Sequence, residues 1–153
     1  MNDANCLQSA LREVLAGRLT PADALGVSAS AVRGLYAMGV ALHERGDFER
    51  AASVFRRCVL FDPRSSSYWI ALASARLGSS AYDEAGEYYQ LAAILTDDPA
   101  PLAYAAAAFS RAGQLDRARA LAADAAARTR SESDLRPWLD IVESCNPVEG
   151  RPS

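Results

Sequence analysis

Apolar residues recur along most of this chain at the three- and four-residue spacing of an amphipathic helix. Residues 46–63, GDFERAASVFRRCVLFDP, show the pattern most fully. Gly46 and Asp47 mark a turn, and Phe48, Ala51, Ala52, Phe55, Cys58 and Val59 follow at helical spacing. Asp62-Pro63 ends the run, because a residue before proline is pushed out of the α region. Upstream, Leu35, Met38, Gly39 and Leu42 form a matching stripe on a preceding helix. Small residues at Gly39 and Ala51 allow two antiparallel helices to approach closely, while aromatic side chains fill the remaining space.

The unit recurs. Gly46-Asp47-Phe48-x-x-Ala51 returns as Ser80-Ala81-Tyr82-x-x-Ala85, 34 residues later, and as Gly113-Gln114-Leu115-x-x-Ala118 after 33 more. The first-helix stripe returns in step as Trp69, Leu72, Ala73 and Arg76, then as Leu102, Ala105, Ala106 and Phe109. The second-helix aromatic runs Phe55, Tyr89, Ala122, so the third unit has a slimmer core. This succession is the tetratricopeptide pattern, and three units are about the fewest that bury a continuous core. The predicted fold is all-α: three tetratricopeptide (TPR) helix pairs in a right-handed superhelix, with an N-terminal helix and a C-terminal capping helix. The predicted organisation is an N-terminal helical arm at 1–29 and repeats over 30–130, divided at about 32–65, 66–98 and 99–130. A capping helix at 131–146 and a disordered tail at 147–153 follow.

The flanks carry their own signals. Leu7, Ala10, Leu11, Val14 and Leu15 make an apolar stripe that ends at Gly17. That stripe either packs back on the first repeat or pairs with a second chain, in which case Leu7, Leu11 and Val14 are the dimerisation residues. Thr20-Pro21-Ala22-Asp23 reads as a helix start, with a hydroxyl cap, proline in the first turn and an acid three residues on. Ser28 or Ser30 caps the first helix of repeat one. Near the other end, Leu135, Trp138, Leu139, Val142 and Cys145 form the stripe expected of a helix that covers the last repeat, starting close to Pro137.

The 153 residues suffice for one domain with one sizeable core. A net charge of −3 argues against direct nucleic-acid binding, which needs a basic face. No apolar run approaches the ~20 residues that span a bilayer, and no signal peptide is visible, so a cytoplasmic location and no membrane insertion are expected. Cys6, Cys58 and Cys145 are widely separated and form no metal or redox motif; Cys58 reads as a small core residue. With a single histidine, His43, and no phosphate-binding glycine loop, no catalytic constellation is present, and neither an enzyme nor a cofactor or metal is expected.

Beside the core stripe, each first helix presents a second face. It carries Tyr36, Val40 and His43 in repeat one, Ile70, Ser74 and Leu77 in repeat two, and Ala103, Ala107 and Ser110 with Tyr104 alongside in repeat three. First helices line the concave side of a TPR stack, so these residues should line one groove. Only Arg33 and His43 could supply positive charge there, which does not suit capture of a C-terminal carboxylate. The groove instead suits an extended peptide with apolar anchors.

GLYAMGVALHERGDFERAASVFRRCVLFDP, followed by SYWIALASARLGSSAYDEAGEYYQLAAILTDDP, resembles the class II chaperones of bacterial type III secretion systems. Leu35-Tyr36, Cys58-Val59-Leu60, Asp98-Pro99 and RPWLDIVES at 136–144 are the particular echoes. The resemblance covers residues 28–145 well and residues 5–27 loosely. It implies a cytosolic chaperone that holds an extended N-terminal stretch of a hydrophobic translocator protein in its concave groove and keeps that client soluble and secretion-competent. It also implies dimerisation through N-terminal helices and, in some members, binding of a transcriptional activator. Tyr36 matches a groove tyrosine of that family, whereas Val40 and His43 stand where the family has aromatics. The alternatives are a regulatory co-activator acting on a transcription factor, a generic TPR scaffold and a needle-subunit chaperone.

Overall fold

The computed structural model describes residues 3–129, with the backbone alone for residues 3–5 and for Leu7. The predicted capping helix, with Trp138, and the tail lie outside the described residues. The chain forms α1 (Asp3–Leu15), α2 (Pro21–Ala24), α3 (Ala29–Glu44), α4 (Phe48–Phe61), α5 (Ser66–Gly78), α6 (Tyr82–Ile94), α7 (Ala100–Arg111) and α8 (Leu115–Arg128). No strand occurs among the described residues.

Local chemistry explains the boundaries. Thr20 and Asp23 form a reciprocal capping box: Asp23 N–H donates to Thr20 Oγ1 at 3.1 Å, and Thr20 N–H donates to Asp23 Oδ2 at 2.9 Å. The Thr20 backbone bond holds the Asp23 carboxyl below its usual range. Ser28, not Ser30, caps α3 by accepting from Ala31 N–H at 3.2 Å. Asp47 caps α4 in the same way through Arg50 N–H. Within each repeat the turn between the two helices needs a left-handed residue. Gly46 (φ 77°) and Gly113 (φ 79°) supply it in repeats one and three, and Ser80 (φ 62°) supplies it in repeat two.

From α3 to α8 each helix packs on the next, as in a solenoid. The core is a row of three clusters. Phe55, Val59, Ala71 and Leu72 centre the first, Tyr89, Ala105 and Phe109 the second, and Leu102, Ala103 and Ala125 the third. Two close approaches set the spacing: a Cβ added to Gly39 would lie 2.5 Å from Phe55, and one added to Gly86 would lie 2.6 Å from Phe109. Arg76 replaces an apolar residue of the repeat pattern. Its guanidinium lies 3.1 Å from the carboxylates of both Glu49 on α4 and Glu84 on α6, tying three helices together.

One expectation changes, and the arm, left open between two readings, takes a definite form. Met38 belongs to the predicted core stripe but is 48% exposed, whereas its repeat equivalents Leu72 and Ala105 are 1% and 0% exposed. Those two are covered by the second helix of the preceding repeat; among the described residues repeat one has no such neighbour. The arm reaches the first repeat through α2. α1 packs against α2, and α2 against α4, so Leu11 and Leu15 remain exposed, with Val14 half-buried.

Candidate peptide groove

α3 and α5 lie side by side, and a pocket of about 220 Å³ opens between them. Tyr36, Val40 and His43 line it from α3, and Ile70 and Ser74 from α5. Their i, i+4, i+7 spacing puts each set on one face of its helix. Phe55 of α4 and Ala71 complete the lining, and neither was assigned to the groove from the sequence. Phe55 was legible only as a core aromatic, yet its ring also floors the pocket.

Aromatic contacts hold the walls. Tyr36 packs against Phe55 and Tyr68, each with ring centroids 5.5 Å apart. His43 sets its ring edge-on to Phe48 at 5.1 Å, and its Nε2 shares a 3.0 Å hydrogen bond with Ser74 Oγ. That bond ties α3 to α5 across the pocket. Burial pushes the Tyr89 phenol above its usual range, outweighing the opposing effect of nearby Ser74. His43 and Ser74 thus pair with each other, and most of the remaining wall is apolar.

The remaining predicted residues are distributed differently. Tyr104 is 48% exposed and packs its ring 5.4 Å from Tyr89, continuing the aromatic surface onto α7. Leu77 and Ala107 are half-buried and do not line the α3–α5 pocket. Ala103 is corrected from groove to core. It is 1% exposed, because α7 is gripped by both α6 and α8, and the buried face widens to take in the residue next to Leu102. Arg33 lines a separate cleft of about 330 Å³ with Asp62, Tyr68 and the α2 cap. Among the described residues no group of three or more His, Cys, Asp or Glu could hold a metal ion, and no helix is long and apolar enough to cross a membrane.

The tetratricopeptide repeat family model matches residues 32–75. No curated protein matches the chain by sequence. The Yersinia enterocolitica type III secretion translocator chaperone SycD is 21% identical with a TM-score of 0.73, over 82% of this chain and 97% of that one. SycD in complex with a peptide of the translocator YopD is 20% identical with a TM-score of 0.70, over 78% and 95%. A chain of the CopN–Scc3 complex is 24% identical with a TM-score of 0.75, over 80% and 75%. Identities this low carry the fold, and this chain has the tetratricopeptide fold seen in the type III secretion translocator chaperone SycD.

Proposed function

We propose that this protein is a cytosolic chaperone that holds an extended segment of a hydrophobic type III secretion translocator in the groove formed by α3, α5 and α7. The observation that carries this reading is the apolar pocket between α3 and α5, walled by Tyr36, Val40 and Ile70, in which His43 and Ser74 already pair with each other. Such a pocket takes an aliphatic anchor of a peptide without leaving a buried donor or acceptor unpaired. The shared fold with SycD, which has been solved with a translocator peptide, supports the choice of client. A membrane-inserting protein exposes aggregation-prone apolar surface in water, and a groove that orders a short disordered stretch of it gives moderate, reversible affinity. The protein acts by binding and not by catalysis. Exposed Leu11 and Leu15 favour pairing of two such chains through α1.

The test is co-expression with candidate translocators, followed by titration with a peptide from the N-terminal region of whichever becomes soluble. Tyr36 is too well packed on Phe55 and Tyr68 to be truncated without loss of stability, so the groove variant is His43→Ala with Tyr104→Ala. It should bind the peptide at least about tenfold more weakly while remaining folded, since a few anchors dominate such interfaces. The exposed pair Arg56→Ala with Glu87→Ala should bind as the parent does. Equal binding by all three proteins would move the client off this groove.

A further inference from the structure

Repeat one leaves one face open among the described residues. Met38 and Leu42 of α3 and Val54 of α4 floor a cleft of about 490 Å³ on the side where a preceding repeat would stack. Its shape follows from the repeat itself. Leu72 and Ala105, equivalent to Met38, are buried because the second helix of the preceding repeat, α4 or α6, lies along α5 or α7. The first repeat offers the same berth without an occupant among the described residues, and the object that fits a berth of this form is a helix with an apolar stripe.

The rim says which kind of helix. Arg45, Arg50 and Arg57 surround the floor, on a chain whose net charge is −3. Arg50 pairs with Asp47, whereas Arg45 and Arg57 make no ion pair among the described residues. A two-fold contact between two copies of this face would set arginines against arginines, which disfavours self-pairing here. Nor does α1 offer carboxylates along its stripe: its acids are Asp3 at the first turn and Glu13, already held by Arg18, and it also carries Arg12. We infer that this cleft docks an amphipathic helix of a partner protein, with carboxylates flanking its apolar stripe, at a site separate from the peptide groove.

The experiment uses the full chain and two fluorescein-labelled amphipathic peptides of about five helical turns. Both carry one leucine stripe, flanked by glutamates in one peptide and by lysines in the other. The glutamate peptide should bind at least about tenfold more tightly than the lysine peptide. Arg45→Glu with Arg57→Glu, both exposed and outside the core, should reverse that preference, and His43→Ala with Tyr104→Ala should leave it unchanged. Three outcomes would overturn the assignment. The peptides could bind alike, the groove pair could abolish binding instead of the arginine pair, or the arginine pair could change the native mass in light scattering, which would make a second copy the occupant. A failure of translocator binding leaves this test intact, because it reads a different face.

Discussion

Ser80 occupies a backbone state that its two repeat equivalents assign to glycine. Its φ of 62° lies in the left-handed region, where Gly46 and Gly113 sit at 77° and 79°. An L-residue there costs about 1–2 kcal/mol, because Cβ crowds the following carbonyl oxygen. Ser80→Gly removes that cost, while the greater freedom of glycine in the unfolded chain returns about 0.4–1 kcal/mol. Among the described residues the side-chain bond lost is a long, exposed one from the Tyr82 hydroxyl at 3.4 Å, which offsets little. The net expectation is stabilisation by about 0.5–1 kcal/mol. In urea this appears as a higher midpoint at unchanged slope, and on heating as a rise of roughly 2–4 °C per kcal/mol for a chain of this size. The reciprocal changes supply the control. No atom lies within 4 Å of a Cβ built on Gly46 or Gly113, so Gly46→Ser and Gly113→Ser meet no clash and test the backbone alone. Each should cost about 1 kcal/mol. If Ser80→Gly lowers the midpoint, or if either glycine accepts serine without loss, the left-handed turn does not govern the energetics of these loops.

Three further outcomes are expected. Gly39→Ala places a methyl 2.5 Å from the Phe55 ring, and overpacking of about 1–3 kcal/mol should exceed the gain of up to about 1 kcal/mol in helix propensity, lowering the melting temperature. In a Cys145→Ser background, Cys6 should react promptly with a thiol reagent, whereas Cys58, fully enclosed and with its thiol pushed up by burial, should react only at the rate of unfolding; equal rates for the two would contradict the core placement. Deleting residues 1–18 should convert a dimer into a monomer with the repeats still helical, and an unchanged mass by light scattering would remove α1 from the dimer contact.

What was legible in the sequence was whatever is decided within one repeat. The 34- and 33-residue recurrence placed α3 to α8 within a residue or two, because turns, caps and the helical stripe are local. The same periodicity brought Tyr36, Val40, His43, Ile70 and Ser74 to one pocket. Effects set by neighbours were hidden. Met38 reads as core in any single unit, and only its place at the start of the stack exposes it. Ala103 reads as groove by register, but contact with helices on both sides of α7 draws it inward. The packing of Tyr68 on Tyr36, and the hydrogen bond between His43 and Ser74, join residues roughly a repeat apart that no stripe connects.

The alanine face of α8 sets an order of events in time. α8 fully buries Ala118, Ala122 and Ala125, with Leu121 only partly covered, whereas α4 buries Phe55, Val54 and Val59. Apolar burial contributes about 25 cal/mol per Å², so a methyl holds its helix far less firmly than a ring. In a stack where each unit leans only on its neighbours, the weakest unit opens on its own and the rest stay closed. Amide protons of α8 should therefore exchange with solvent well before those of α4 and α5. The groove wall on α3 and α5 would then persist through openings that loosen the support of Tyr104 on α7, leaving one end of the groove firm and the other yielding.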